Sequence, residues 1–209
     1  MNLFKYLLSL IALMLVAFSA VPAHAGPSFP TPPWCYRWTS TDAFNNPGAW
    51  SQWDNANTGG IFVGNTAAAR TPSRAALMSF NSGSDIDGAF LVIDREFAYN
   101  TNITETYQRP SCLIAPVPYS YTRPSACEAH VWVRPDHGID GVLQLIDATN
   151  YAYLASKPFI LPPSSLWHEV IVSTSNFCSA NIIVRIGANK TSGISAMVVD
   201  DLQLIRYYI

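Results

Sequence analysis

The stretch EAHVWVR, residues 128–134, holds the densest set of side chains that could do chemistry. Strand alternation places Glu128, His130, Trp132 and Arg134 on one face, and Ala129, Val131 and Val133 on the other. The small apolar set suits a core. The other set joins a carboxylate, an imidazole, an indole and a guanidinium. That mixture suits a sugar: the flat ring meets its C–H face, and the polar groups hydrogen-bond its hydroxyls. Gln144 alternates with Val142 and Ile146 on a neighbouring run and is expected to join this face. The competing reading inverts the alternation and makes Trp132 a core residue, the usual place for tryptophan.

Further aromatic residues gather in polar, turn-rich stretches. Tyr119 and Tyr121 lie between two cysteines, Trp50 and Trp53 in GAWSQWDNANTGG, and Tyr151 and Tyr153 just after Asn150. Exposed amphipathic rings are common at recognition surfaces; the plainer role is to lid the ends of a sandwich. Catalysis has less support. The sequence has no Gly-x-Ser-x-Gly elbow and no His-Glu-x-x-His pair. A glycan hydrolase needs two carboxylates flanking the scissile bond, and nothing in the spacing of the acids singles out a pair.

Composition narrows the partners. The chain has 209 residues, 49% hydrophobic but 12% charged, with a formal net charge of −2 and no basic run. Such a chain can bury a core, and it lacks the basic footprint of a nucleic-acid binder. Residues 1–25 read as a secretory signal peptide: Lys5, an apolar run over residues 7–20, then Ala23-His24-Ala25 as the cleavage site. The apolar run is shorter than the roughly 20 residues that span a bilayer. Export, extracellular or periplasmic, without membrane insertion after cleavage is the expectation.

Cys35, Cys112, Cys127 and Cys178 form an even set, which in an exported chain suggests two disulfides. Four cysteines allow three pairings. The favoured one joins Cys112 to Cys127, closing the proline-rich loop between them, and leaves Cys35 for Cys178. No Cys-x-x-Cys pair supports a zinc site.

The elements that must position these residues are strands. Apolar or alternating runs at 76–80, 89–93, 128–134, 141–147, 167–174, 181–186 and 196–205 are separated by turn clusters, with no helical intervals between them. That pattern indicates an all-β antiparallel sandwich or barrel. Residues 26–33 read as an extended leader, and 34–209 as one β-sandwich domain with two disulfides.

The run WHEVIVST (167–174), followed by IIVRIG (182–187) and VVDDLQL (198–204), resembles the closing strands of jelly-roll carbohydrate-binding modules of bacterial glycan-active proteins. AHVWVR (129–134) resembles their central strand. MAM domains, which share the Asp-Asp motif and disulfides, are a second resemblance. The resemblance implies a galactose-binding-like jelly roll and a carbohydrate partner. It also implies one structural calcium ion held by an aspartate of the Asp200-Asp201 pair together with backbone carbonyls. Calcium takes six to eight oxygens. Alternation gives Asp200 the face of Leu202 and Leu204, so it is the buried member if those leucines are core. A buried carboxylate needs a partner; capping backbone N–H groups or pairing with an arginine would also serve. The function expected is non-catalytic recognition of a polysaccharide or glycoconjugate. The alternative is an adhesive or structural envelope protein that binds another protein.

Overall fold

A computed structural model describes residues 35–42, 44, 50–54, 59–64, 69–71, 74–80, 90–99, 103–109, 124–174, 177–189 and 195–208. All belong to one compact unit, Pro33–Ile209. The signal segment, the leader, Cys112, Tyr119 and Tyr121 lie outside the described residues.

Each strand expected from the sequence is present. In chain order the described strands are β1 (Tyr36–Asp42), β2 (Trp50–Asp54), β3 (Gly59–Gly64), β4 (Ala75–Phe80), β5 (Phe90–Phe97) and β6 (Ile103–Gln108), then β7 (Ala126–Pro135), β8 (Ile139–Asp147), β9 (Tyr153–Leu161), β10 (His168–Thr174), β11 (Ile182–Asn189) and β12 (Ser195–Tyr208). They form two antiparallel sheets. The seven-stranded sheet runs β10-β7-β12-β1-β6, with β4 also on β12 and β3 on β4; the five-stranded sheet runs β2-β5-β11-β8-β9. The fold is therefore the expected all-β antiparallel sandwich. Strand β9 escaped the sequence reading because Lys157 and Pro158 interrupt its apolar pattern. Proline is tolerated there because β9 is an edge strand.

The core lies between the sheets. Ala129, Val131 and Val133 of β7 and Leu202 and Leu204 of β12 meet Leu143 and Leu145 of β8 and Ile182, Val184 and Ile186 of β11. Burial of each large aliphatic side chain is worth about 1.5–3 kcal/mol, so these rows outweigh any surface pair described below. Trp50 belongs to this core and stacks on Phe44 with ring centroids 4.2 Å apart. Of the two roles its polar neighbourhood left open, exposed recognition and lidding the sandwich, the structure does not give it the first: its ring is neither exposed nor on an open surface.

Among the described residues one disulfide is shown, and it corrects the expected pairing. Cys127 is bonded to Cys178, with Cα atoms 6.1 Å apart. Neither Cys112–Cys127 nor Cys35–Cys178 can then form. The reason is topological. Cys127 pairs in register with Thr174, the last residue of β10. Only three residues separate the end of β10 from Cys178, whose N–H donates to the carbonyl of Pro124 at 3.0 Å.

Candidate functional site

The alternation along β7 is as expected. Ala129, Val131 and Val133 are buried in the core, while His130, Trp132 and Arg134 are half-buried on the opposite, outer face of the seven-stranded sheet. Glu128 shares that face and is almost wholly buried. Trp132 is thus not a core residue. It is not an open platform either: the Arg70 guanidinium lies 4.0 Å from its ring centroid. Arg134 lies 5.5 Å from the Trp167 ring and donates to Asp136 at 3.2 Å. His130 contacts Glu128 through Nε2 and Glu169 through Nδ1, the latter at 2.9 Å. Burial alone would lower the His130 pKa, but its bonds to the two glutamates outweigh that and raise it. The polar groups of this face are partnered with one another.

Asp200 lies on the same outer face, contrary to the sequence reading. It pairs in register with Trp132, while Gln203 pairs with His130. Three steps on β12 thus match two on β7, which is a β-bulge. Asp201, at φ 49°, sits in the bulge, and the extra residue inverts the alternation. Leu202 and Leu204 stay in the core and Asp200 points the other way, yet it is fully buried. Residues 70–71 provide the cover. Asp200 accepts from the N–H groups of Arg70 (2.7 Å), Thr71 (2.9 Å) and Asp201 (2.8 Å). Burial pushes its carboxyl above the ordinary range, against the pull of those donors. Asp201 accepts from the Arg70 guanidinium and from Thr71 Oγ1 at 2.7 Å.

These surroundings do not fit a calcium ion. The Asp200 oxygens already face three N–H groups, and a guanidinium already sits on Asp201. The aspartates instead take the other sequence-stated role, capping N–H groups and pairing with an arginine.

Gln144 does not join the β7 face. It belongs to β8 in the other sheet, and its outward neighbours are different residues. Register sets Asp94, Arg185, Gln144 and Ser156 in one row across β5, β11, β8 and β9. Arg185 makes two 2.7 Å bonds to Asp94, one to each carboxylate oxygen, and these raise the guanidinium pKa. Gln144 Nε2 donates to Ser156 Oγ at 3.2 Å. The adjoining row is apolar: Val92, Gly187, Val142 and Pro158. A Cβ on Gly187 would come within 2.9 Å of Val142 Cγ1, so glycine keeps that row low.

Tyr153 flanks the polar row from the other side. A register shift between Leu145 and Ile146 pairs Ile146 with Tyr153 and skips Leu154. Leu154 then turns toward the core. Tyr153 stands 63% exposed, with its hydroxyl 3.4 Å from Arg185 Nη1. Sequence reading noticed Tyr153 as a loop aromatic but missed Arg185, Asp94 and Ser156. The signal for Arg185 was a lone charge in an apolar strand.

No protein-family model matches the chain, and no curated protein matches it. Among solved structures, the carbohydrate-binding module TmCBM61, in complex with β-1,4-galactotriose, is 11% identical with a TM-score of 0.50, covering 75% of this chain and 88% of that one. The K3 cleaved adhesin domain of Lys-gingipain from Porphyromonas gingivalis w83 is also 11% identical at 0.50, covering 81% and 98%. A family 11 carbohydrate-binding module from Clostridium thermocellum, in complex with a β-1,3-1,4-mixed-linked tetrasaccharide, is 10% identical at 0.47, covering 80% and 95%. Further similar solved structures include other carbohydrate-binding modules, of families 11, 22 and 4. At these identities the likeness is one of fold: this chain has the β-sandwich of those modules.

Proposed function

We propose that this chain is an exported, non-catalytic carbohydrate-binding protein whose site is the outer face of the five-stranded sheet. The observation that carries the reading is Tyr153, an open ring beside a row of hydrogen-bonding groups, Asp94, Arg185, Gln144 and Ser156. The ring, with the accessible Val142 and Pro158 of the adjoining row, offers apolar contact to sugar C–H faces. The polar row meets hydroxyls, with few convergent polar groups fixing orientation. The fold shared with carbohydrate-binding modules supports the same reading, although fold alone does not imply function. Binding rather than cleavage is assigned because Asp94 is the one carboxylate of this row and is held by Arg185, whereas glycoside hydrolysis needs a pair of carboxylates flanking the scissile bond. Export is supported by the signal-like residues 1–25 and by the Cys127–Cys178 disulfide, a bond of oxidising compartments.

The test is retention of the secreted chain on a panel of insoluble polysaccharides and soluble glycans, with Tyr153→Ala and Trp132→Ala alongside. Selective retention by the native chain, lost in Tyr153→Ala and kept in Trp132→Ala, is expected. Retention lost in Trp132→Ala and kept in Tyr153→Ala would move the site to the other sheet. No retention at all would sink the reading for the glycans tested and favour a protein partner.

A further inference from the structure

The outer face of the seven-stranded sheet holds a histidine engaged through both ring nitrogens. His130 Nε2 meets Glu128 Oε1, and His130 Nδ1 lies 2.9 Å from Glu169 Oε1. An ionised carboxylate can only accept, and a neutral imidazole carries one N–H. Both contacts are hydrogen bonds only when the trio holds a second proton, as imidazolium or on one of the glutamates. Remove it, and one carboxylate oxygen faces a nitrogen lone pair.

The trio also has a structural position. Glu169 is on β10, an edge strand whose neighbour in the sheet is β7. His130 and Glu128 are on β7. We propose that Glu128, His130 and Glu169 form a proton-held clasp that fastens β10 to β7 and loosens as the pH rises.

Arg70, Asp200 and Asp201 lie one pair along the same face, around Trp132, bonded to one another, and Arg134 lies one pair beyond, on Asp136; the charges that bear on His130 itself are those of Glu128 and Glu169. Register places Ile171 and Gln203 beside His130, and Ser173 and Ile205 beside Glu128, all uncharged. Tyr207 of β12 bears on Glu128; burial, with Glu128 adding to it and Arg37 of β1 opposing, pushes its hydroxyl up to about 12, so it stays neutral across the working range. His168 of β10 pairs in register with Val133, on the core side of the strand. Because the folded pKa of His130 lies above its ordinary value, the clasp is whole below the ordinary histidine value. Its contribution is lost as pH climbs through the folded value.

Hydrogen exchange and NMR titration test this on the full chain. The His130 ring should titrate above the ordinary histidine range. Opening of β10 amides, corrected for intrinsic exchange, should rise by up to about tenfold per pH unit between the ordinary and folded values. Amides of β8 in the other sheet should show no such rise. Glu169→Gln, at a partly exposed position, should keep the fold, move the His130 titration down and flatten the β10 response. A ring titrating at or below the ordinary range overturns the proposal. So does β10 opening that is indifferent to pH, or that has the same slope in Glu169→Gln.

Discussion

The two outer faces of the sandwich carry similar chemistry and differ in how much of it is spent internally. On the seven-stranded sheet, Trp132 is covered by Arg70, Arg134 reaches Trp167 and Asp136, and His130 is held by Glu128 and Glu169. On the five-stranded sheet, Asp94 and Arg185 satisfy each other, but Tyr153 stays open and Gln144 has a single long bond to Ser156. Residue types do not distinguish an open face from a self-satisfied one. What distinguishes them is whether the ring and the donors already have partners. Substitutions on the first face should therefore cost stability, and on the second should cost binding.

The strongest perturbation is to break the covalent link that serves both sheets. Cys127 lies on β7, and Cys178 lies just before β11. The bond closes a separation of 51 residues, for which the chain-entropy model gives about 4 kcal/mol. The Cys127→Ala/Cys178→Ala variant should lose about that much in denaturant unfolding, with glycan retention falling only as the fold is lost. Cys35 and Cys112 are then left for each other. Non-reducing peptide mapping should return the pairs 127–178 and 35–112; a 112–127 peptide would contradict the geometry described here.

Asp200→Ala comes next and belongs to the first face alone. It strips the acceptor from three N–H groups at a fully buried position. Stranded buried donors each cost on the order of 1–3 kcal/mol, partly relieved by water. A total loss of about 3 kcal/mol is expected in the same unfolding assay. A chelator should leave the native chain's stability unchanged. A chelator-dependent loss would restore calcium to this corner and undo the assignment of Arg70 and Thr71 as its partners.

Sequence alone showed the strands of the core and the two-faced character of β7, because apolar alternation there is unbroken. It failed where the alternation breaks. The bulge at Asp201 turns Asp200 away from the face of Leu202 and Leu204, and the shift at Leu145/Ile146 turns Tyr153 outward in place of Leu154. One extra residue inverts every later side chain, and no local residue pattern marked either site. Gln144 was given the right orientation on its own strand but the wrong sheet. Periodicity fixes which way a side chain points along a strand; it does not say which strands are neighbours. The disulfide was missed for the same reason, since β10 lies beside β7 only in the folded chain.

Tyr153→Ala sharpens the comparison from the other side. The ring is mostly exposed, so the change in stability should stay within about 0.5 kcal/mol. Retention on the recognised glycan should fall about tenfold, equivalent to about 1.4 kcal/mol. Trp132→Ala should behave in the opposite way. It removes the surface beneath Arg70, an interaction worth about 0.5–2 kcal/mol, and leaves retention intact. Equal effects of the two variants on binding would erase the distinction between the faces.

The smallest expected effect is the most discriminating, because it separates two residues once assigned to one face. Gln144→Ala removes a hydrogen-bonding group from the five-stranded face. A single neutral hydrogen bond contributes about 0.5–1.5 kcal/mol, so affinity measured by calorimetry should fall about threefold, with little change in unfolding. His130→Ala should leave that affinity unchanged, because His130 lies on the opposite face of the sandwich, bonded to Glu128 and Glu169. If His130→Ala weakened binding and Gln144→Ala did not, the glycan would have to lie on the seven-stranded sheet. The clasp would then have to open for binding, and affinity would rise with pH rather than ignore it.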